Sequence, residues 1–197
     1  MLPPSPSRDR WWQVYRNIIT YMNNILKIAK KNQIEYLKDT IKELEKFQEI
    51  DNFQQIKFTI TDILVNEQLN YLIKELPSTG KFIYYFNTNK PDLVHKNFLN
   101  YINSGNIKLT RKNNFELSEN LYVGSSNNLH KRFKEHCGYA SKSTYAIKFK
   151  EWLTDDKIEI KFNYIKLDTD NQLILQNIEN GLWKTMNPIF GKYGSKY

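Results

Sequence analysis

Cysteine is almost missing from this sequence. Cys137 stands alone among 197 residues, which excludes an internal disulfide and any zinc site built on cysteine pairs. Long apolar runs are missing as well. None reaches the roughly 20 residues a bilayer-spanning helix needs, and Met1 to Arg10 lack the apolar segment of a signal peptide. A cytoplasmic chain that enters no membrane is therefore expected. Acidic residues are in deficit: 21 acids face 29 lysines and arginines, for a formal net charge of +8 and a pI near 9.3.

Hydrophobic residues make up 40% and aromatic ones 14%, which is enough for a core and too much for a disordered chain. The length suits one domain, or a small domain with a helical extension. A basic balance suits a polyanionic partner, but a lysine-rich composition produces the same charge without one. The distribution decides. Between Tyr122 and Lys150 the charged residues are Lys131, Arg132, Lys134, Lys142, Lys148 and Lys150 against Glu135 alone, a net of +5. Phe133, Tyr139, Tyr145 and Phe149 are interleaved with them, as on nucleic-acid surfaces.

Met1 to Ser7, with three prolines, reads as a flexible tail. From about Asp9 to Ile50 the pattern is helical. Trp11, Tyr15, Ile18, Met22, Ile25 and Ala29 repeat at alternating four- and three-residue steps, and Leu37, Ile41 and Leu44 resume after a polar break at Lys30–Gln33. Such stripes fit a dimerisation element, a helical cap, or a DNA-binding arm using Arg8, Arg10, Arg16, Lys27, Lys30 and Lys31. A further helix is predicted over 61–76. Pro77-Ser78-Thr79-Gly80 then suggests a domain boundary, giving a helical region 1–78 and a second domain 79–197.

In that second domain Lys81–Phe86 reads as a central strand, 91–104 as a helix, 107–109 as a short strand and Lys112-Asn113-Asn114 as a turn. Leu121 to His136 reads as strand, glycine turn, Asn cap and basic helix, a common arrangement for meeting a phosphate. A helix is expected from Tyr145 to Leu153. Lys157–Lys166 alternates as a strand with one wet face, and a last helix is expected from about Asn171 to Met186.

Candidate chemistry lies on four of these elements. Tyr84 sits on the first strand, Tyr122 ends the apolar run before Gly124, and Arg132 and His136 lie one helical turn apart. Glu179 falls at the edge of the last helix's apolar stripe. Each has an ordinary structural explanation when taken singly.

Together they resemble the GIY-YIG nuclease family. Tyr122-Val123-Gly124, the Asn128-Leu129 pair and Arg132, ten residues after Tyr122, match its central motif. Phe82-Ile83-Tyr84 resembles its first strand, and Glu179 with Pro188 nine residues on resembles its late helix. The resemblance covers roughly Gly80 to Tyr193. Phe82 replaces the usual glycine, which leaves Tyr84 and Tyr85 as alternatives, and Gly191 replaces a frequent asparagine for which Asn187 is a substitute. The stretch between the tyrosines is longer than usual, implying an insertion at about 87–120.

The resemblance implies an α/β fold with a small mixed sheet flanked by helices, next to the N-terminal helical extension. It implies a metal-dependent DNA endonuclease, of restriction type by its size. Glu179 would hold one Mg²⁺ or Mn²⁺ ion, Arg132 would clamp the phosphate, and Tyr84 or Tyr122, with His136 as helper or alternative base, would activate water. Lys131, Lys134, Lys142, Asn187 and Lys192 are the nucleic-acid-binding candidates, double-stranded DNA the expected partner, and a homodimer through the N-terminal helices the expected assembly. The alternative is a catalytically inactive nucleic-acid-binding protein of the same fold.

Overall fold

In the computed structural model, residues 8–46, 52–103, 111–113, 117–141 and 143–194 are described. The tail at 1–7, the short strand expected at 107–109 and Lys142 lie outside them. The chain divides into two units, residues 1–48 and 49–197.

Among the described residues the first unit is one helix, α1 (Arg8–Glu45), of 38 residues. The break expected at Lys30–Gln33 does not occur. Lysine and glutamine are good helix formers, and no glycine or proline interrupts the span. Its large apolar side chains are exposed, among them Trp12, Ile19, Leu26, Leu37 and Ile41.

The second unit is the expected α/β domain. Its elements are β1 (Gln54–Phe58), α2 (Ile60–Leu64), α3 (Asn66–Lys74), β2 (Lys81–Thr88), α4 (Pro91–Asn103), β3 (Asn120–Ser126), α5 (Leu129–Cys137), α6 (Phe149–Trp152), β4 (Ile160–Leu167) and α7 (Gln172–Met186). The sheet has the order β1-β4-β2-β3, and all three pairings are antiparallel rather than mixed.

The boundary expected at 78/79 lies instead at 48/49. Pro77–Gly80 is only the connection between α3 and β2, and β1 enters the same sheet by pairing with β4. Ile56 and Phe58 point inward while Gln55 and Lys57 stay exposed. The helix expected over 61–76 is two helices, because Val65 between them is extended (ψ 113°). The helix expected from Tyr145 is shortened to α6, since Lys148 before it adopts the left-handed region (φ 58°).

One face of the sheet carries the main core. Phe86 and Phe162 lie 4.7 Å apart by ring centroid, and Phe133 from α5 lies 5.1 Å from Phe162. Phe58 and Phe149 join them, all fully or almost fully buried. On the opposite face α7 packs against β2 and β3, where Ile83, Val123, Ile174 and Leu175 are buried. There Phe53 and Tyr85 stack edge to face at 5.2 Å, and Asn163 links Gln55 to Asn87 by amide hydrogen bonds.

Where a turn is expected at 112–114, residues 112 and 113 pair with another segment, and Asn114 lies outside the described residues. Asn113 N–H donates to Ile189 O at 2.8 Å, Gly191 N–H to Arg111 O at 2.9 Å, and Lys112 bridges Phe190. Residues 189–190 in turn donate to Asn120 O and Leu121 O of β3. The segment after α7 is thus held between β3 and residues 111–113, and buried Asn113 adds a side-chain bond to Pro188 O at 2.9 Å.

Candidate active site

The strand pairing brings the two motif tyrosines together. Tyr84 on β2 stands opposite Gly124 on β3, and Phe86 opposite Tyr122, so both phenols share one face. Their rings are stacked 6.2 Å apart with only 9° between planes. Gly124 makes this possible. A Cβ there would fall 2.7 Å from Tyr84 Cζ and 2.8 Å from Tyr122 Cε1, and closer still to the Tyr84 hydroxyl. Tyr85 points to the other face, toward Phe53, so Tyr84 is the tyrosine that meets the rest of the motif. Phe82, in place of the usual glycine, is a fully buried core residue.

Arg132 reaches this pair from α5. Asn128 caps that helix by accepting from Lys131 N–H at 2.9 Å, and Gly138 ends it in the left-handed region (φ 106°). The guanidinium is fully engaged on three sides. Nε donates to the Tyr84 hydroxyl at 2.8 Å and one terminal nitrogen to the Tyr122 hydroxyl at 3.0 Å. The other donates to Glu135 at 2.8 Å and to Tyr145 O at 3.0 Å. The Arg132 and Glu135 side chains are 20% and 14% exposed, so the ion pair is sheltered rather than solvated. Burial opposes the charge on Arg132, but both phenols and Glu135 outweigh it and raise its pKa above the ordinary value.

His136 lies beneath, fully buried. Its Nδ1 accepts from Ile147 N–H at 3.2 Å, so in the neutral ring the proton is on Nε2. Nε2 is 3.0 Å from the Tyr84 oxygen and donates to it. Burial first, then the Arg132 charge, hold the imidazole well below its ordinary pKa. His136 is thus a neutral donor that orients Tyr84. The expected role as an alternative base for a water does not fit a ring without solvent contact. Tyr84 is also fully buried, and burial pushes its phenol well above the usual pKa against the pull of Arg132. Tyr122 is half-buried, raised by the same desolvation and lowered by Arg132.

Glu179 comes from α7. Its Oε2 accepts from the Ser125 hydroxyl at 2.5 Å. Burial raises its carboxyl pKa, while Ser125 and the nearby Arg132 charge pull the other way. Glu179 also raises both phenols, which places it within their field. Ser125 and Glu135 have no part in the sequence expectation. Glu135 was legible as a carboxylate three residues after Arg132 on a helix, whereas the Ser125–Glu179 contact spans 54 residues.

The remaining candidates are peripheral. Lys131 and Lys134 are exposed on the outer side of α5, beside a cavity of about 590 Å³ that Asn128, Glu135, Ser141 and Thr144 also line. Lys192 is exposed. Asn187 is an exposed helix C-cap in the left-handed region (φ 46°), which accounts for an asparagine there without a site role. Gly191, in place of the frequent asparagine, lies against Tyr122. Its φ is 106°, and a Cβ would stand 3.1 Å from Tyr122 Cε2.

Among the described residues no group of three or more His, Cys, Asp or Glu could hold a metal ion. Of the cluster's two carboxylates, Glu135 is ion-paired with Arg132, and Glu179, whose Oε2 accepts only from the neutral Ser125 hydroxyl, is the better placed to contribute an oxygen. No helix among the described residues is long and apolar enough to cross a membrane.

Residues 109–193 match the family model described as the GIY-YIG catalytic domain. A search of curated proteins gave no match, and neither did a search of solved structures. Tyr84 precedes the matched range, yet β2 carries it into contact with Arg132 of the matched range. Tyr122, Arg132 and Glu179 all lie within the matched range, and this stretch of the chain is similar to the GIY-YIG catalytic domain.

Proposed function

We propose that this chain is a metal-dependent endonuclease that hydrolyses phosphodiester bonds in double-stranded DNA, a restriction-type enzyme. The observation that carries this is Arg132, which donates to both motif tyrosines at once with Glu179 close by. A guanidinium stays charged at any working pH and binds two phosphate oxygens in its plane. A phosphate arriving at Arg132 competes with Tyr145 O and Glu135 for the same nitrogen. Arg132 then offsets charge on the scissile phosphate as it grows toward the transition state.

Glu179 suits a hard cation. Magnesium is commonly held by one or two carboxylates with the rest of its shell from water and substrate phosphate, and one carboxylate is what the cluster offers. When bound, Mg²⁺ or Mn²⁺ supplies charge stabilisation at the phosphate. Tyr122, partly buried beside Arg132, is the phenol nearest to solvent; its raised pKa keeps its own proton in place, and its hydroxyl positions the attacking water. Tyr84, held by Arg132 and His136, fixes the guanidinium beneath it. Lys131 and Lys134 guide the flanking strand along the cavity beside α5, and the helical extension joins two copies into a homodimer.

A second reading is a nucleic-acid-binding protein of this fold without activity. Gly191 favours it, because no side-chain amide stands on that side of Tyr122. A plasmid-cleavage assay with and without Mg²⁺ or Mn²⁺, on wild type and Glu179→Ala, separates the two. Metal-dependent cutting that Glu179→Ala abolishes supports the enzyme. Salt-sensitive binding without cutting supports the binding protein.

A further inference from the structure

We infer that α1 pairs antiparallel with α1 of a second copy, about a two-fold axis near Ile28. This deepens the dimer proposed above and rests on that reading of α1, not on catalysis. The starting observation is exposure. Trp12, Tyr15, Ile19, Met22, Leu26, Ile34, Leu37 and Ile41 are between 42% and 62% exposed. An apolar surface of this extent on one helix marks an interaction face.

The order of that face is what selects the partner. At 100° per residue, Trp12, Tyr15, Ile19, Met22, Leu26, Lys30, Ile34, Leu37, Ile41 and Leu44 fall in one stripe about 120° wide. The steps between them run three, four, three, four, four, four, three, four, three. That series reads the same in both directions and is centred on Ile28. An antiparallel copy centred there sets Trp12 against Leu44, Tyr15 against Ile41, Ile19 against Leu37 and Met22 against Ile34. Only Leu26 meets a polar residue, Lys30, whose methylene stem can lie over it. The four-four step at the centre is a stutter that locally straightens the seam.

Charge selects the same orientation. Residues 35–45 hold Glu35, Asp39, Glu43 and Glu45 against Lys38 and Lys42, a net of −2. Antiparallel pairing sets this stretch against residues 11–21, whose only charge is Arg16. Parallel pairing would set this net −2 against an equal net −2.

The test uses the full chain with single cysteines under mild oxidation. Native Cys137 is fully buried and its thiol pKa is pushed up by burial, so it stays silent. The expected result is a disulfide dimer when Tyr15→Cys and Ile41→Cys proteins are mixed, but not from Tyr15→Cys or Ile41→Cys alone. A disulfide dimer from each of those two alone would show parallel pairing and overturn the orientation. Light scattering that gives the monomer mass for wild type would overturn the dimer itself. A variant pair covers a loss of folding at the cysteines. Ile19→Lys alone should abolish the dimer, and Ile19→Lys with Leu37→Glu in one chain should restore it, since each lysine then meets a glutamate of the other copy. A double variant that stays monomeric while retaining its helix content overturns the proposed register.

Discussion

Arg132 donates its Nε hydrogen to the hydroxyl of Tyr84 at 2.8 Å, joining helix α5 to the strand on which the first motif tyrosine lies. The same oxygen takes the Nε2 hydrogen of His136. Two donors, one of them charged, fix this phenol oxygen in a place where water does not reach. The guanidinium is thereby set in plane before any substrate arrives, and each prediction below perturbs one part of that arrangement.

Arg132→Ala should lower the single-turnover cleavage rate by about 10³-fold, the scale seen when one charge-stabilising donor is removed. Arg132→Lys should recover little of it, because an ammonium cannot donate to Tyr84 and Tyr122 while binding a phosphate through two oxygens. DNA binding by fluorescence anisotropy should fall far less than the rate. Cleavage close to the wild-type rate in Arg132→Ala would remove Arg132 from the mechanism.

Glu179→Gln should abolish metal-dependent cleavage and at the same time raise stability at neutral pH. The sign follows from burial. The carboxyl pKa is raised in the folded chain, so the folded state holds its proton more firmly than the unfolded one. Stability from this group is present below its unfolded pKa and is lost as pH rises through the folded value. A glutamine keeps the bond from Ser125 without the buried charge. Urea midpoints at pH 7 for the two proteins give the comparison, and a lower midpoint for the variant would contradict it.

His136 predicts the opposite slope. Its folded pKa is depressed, so the unfolded chain takes up a proton below about pH 6.5 that the buried ring does not. Stability should therefore fall as pH drops from 7 to 5, by up to about 1.4 kcal/mol per unit from this group. His136→Gln should flatten that part of the curve while costing about 1–3 kcal/mol at pH 7, since the Tyr84 oxygen and Ile147 N–H lose a buried partner. Parallel curves for the two proteins in urea titrations would show that His136 is protonated in the fold.

Gly124→Ala should cost about 1–3 kcal/mol in stability as an overpacked site and should reduce cleavage as well. The added methyl would displace Tyr84 or Tyr122, with 2.7 and 2.8 Å to their rings, and with them the two phenol bonds of Arg132. A variant with native thermal stability and native cleavage would show that the tyrosine pair has room to move.

Much of the site was legible in the sequence because its parts lie on short elements with strong local signals. The Tyr122-to-Arg132 spacing fixes one strand, one turn and one helix start, and the structure places both groups 3.0 Å apart. Glu179 was legible only as an acid among apolar neighbours, and Ser125 not at all, because their contact depends on α7 packing across β3. The fold was misread where local signals compete. Gln54–Phe58 carries too many polar residues to announce a strand, although Ile56 and Phe58 alternate inward. Pro77–Gly80 has the composition of a linker and serves as a tight connection inside the domain. Of the two roles expected of His136, that of alternative base does not fit its burial, because residue type and spacing carry no information on burial.

Strand β4 has a consequence for how the protein comes into being. It lies between β1 and β2, both of which precede it in the chain by many residues. A ribosome that has made the chain through α6 has produced Tyr84, Tyr122 and Arg132, but neither the strand that joins the sheet nor the helix that brings Glu179. Closing that gap requires long-range pairing, which is slow compared with local hairpins. The end of β4 at Leu167 and Glu179 then arrive within about a dozen residues of each other. A nascent or truncated chain therefore lacks the assembled cluster until the fold that holds it is also complete.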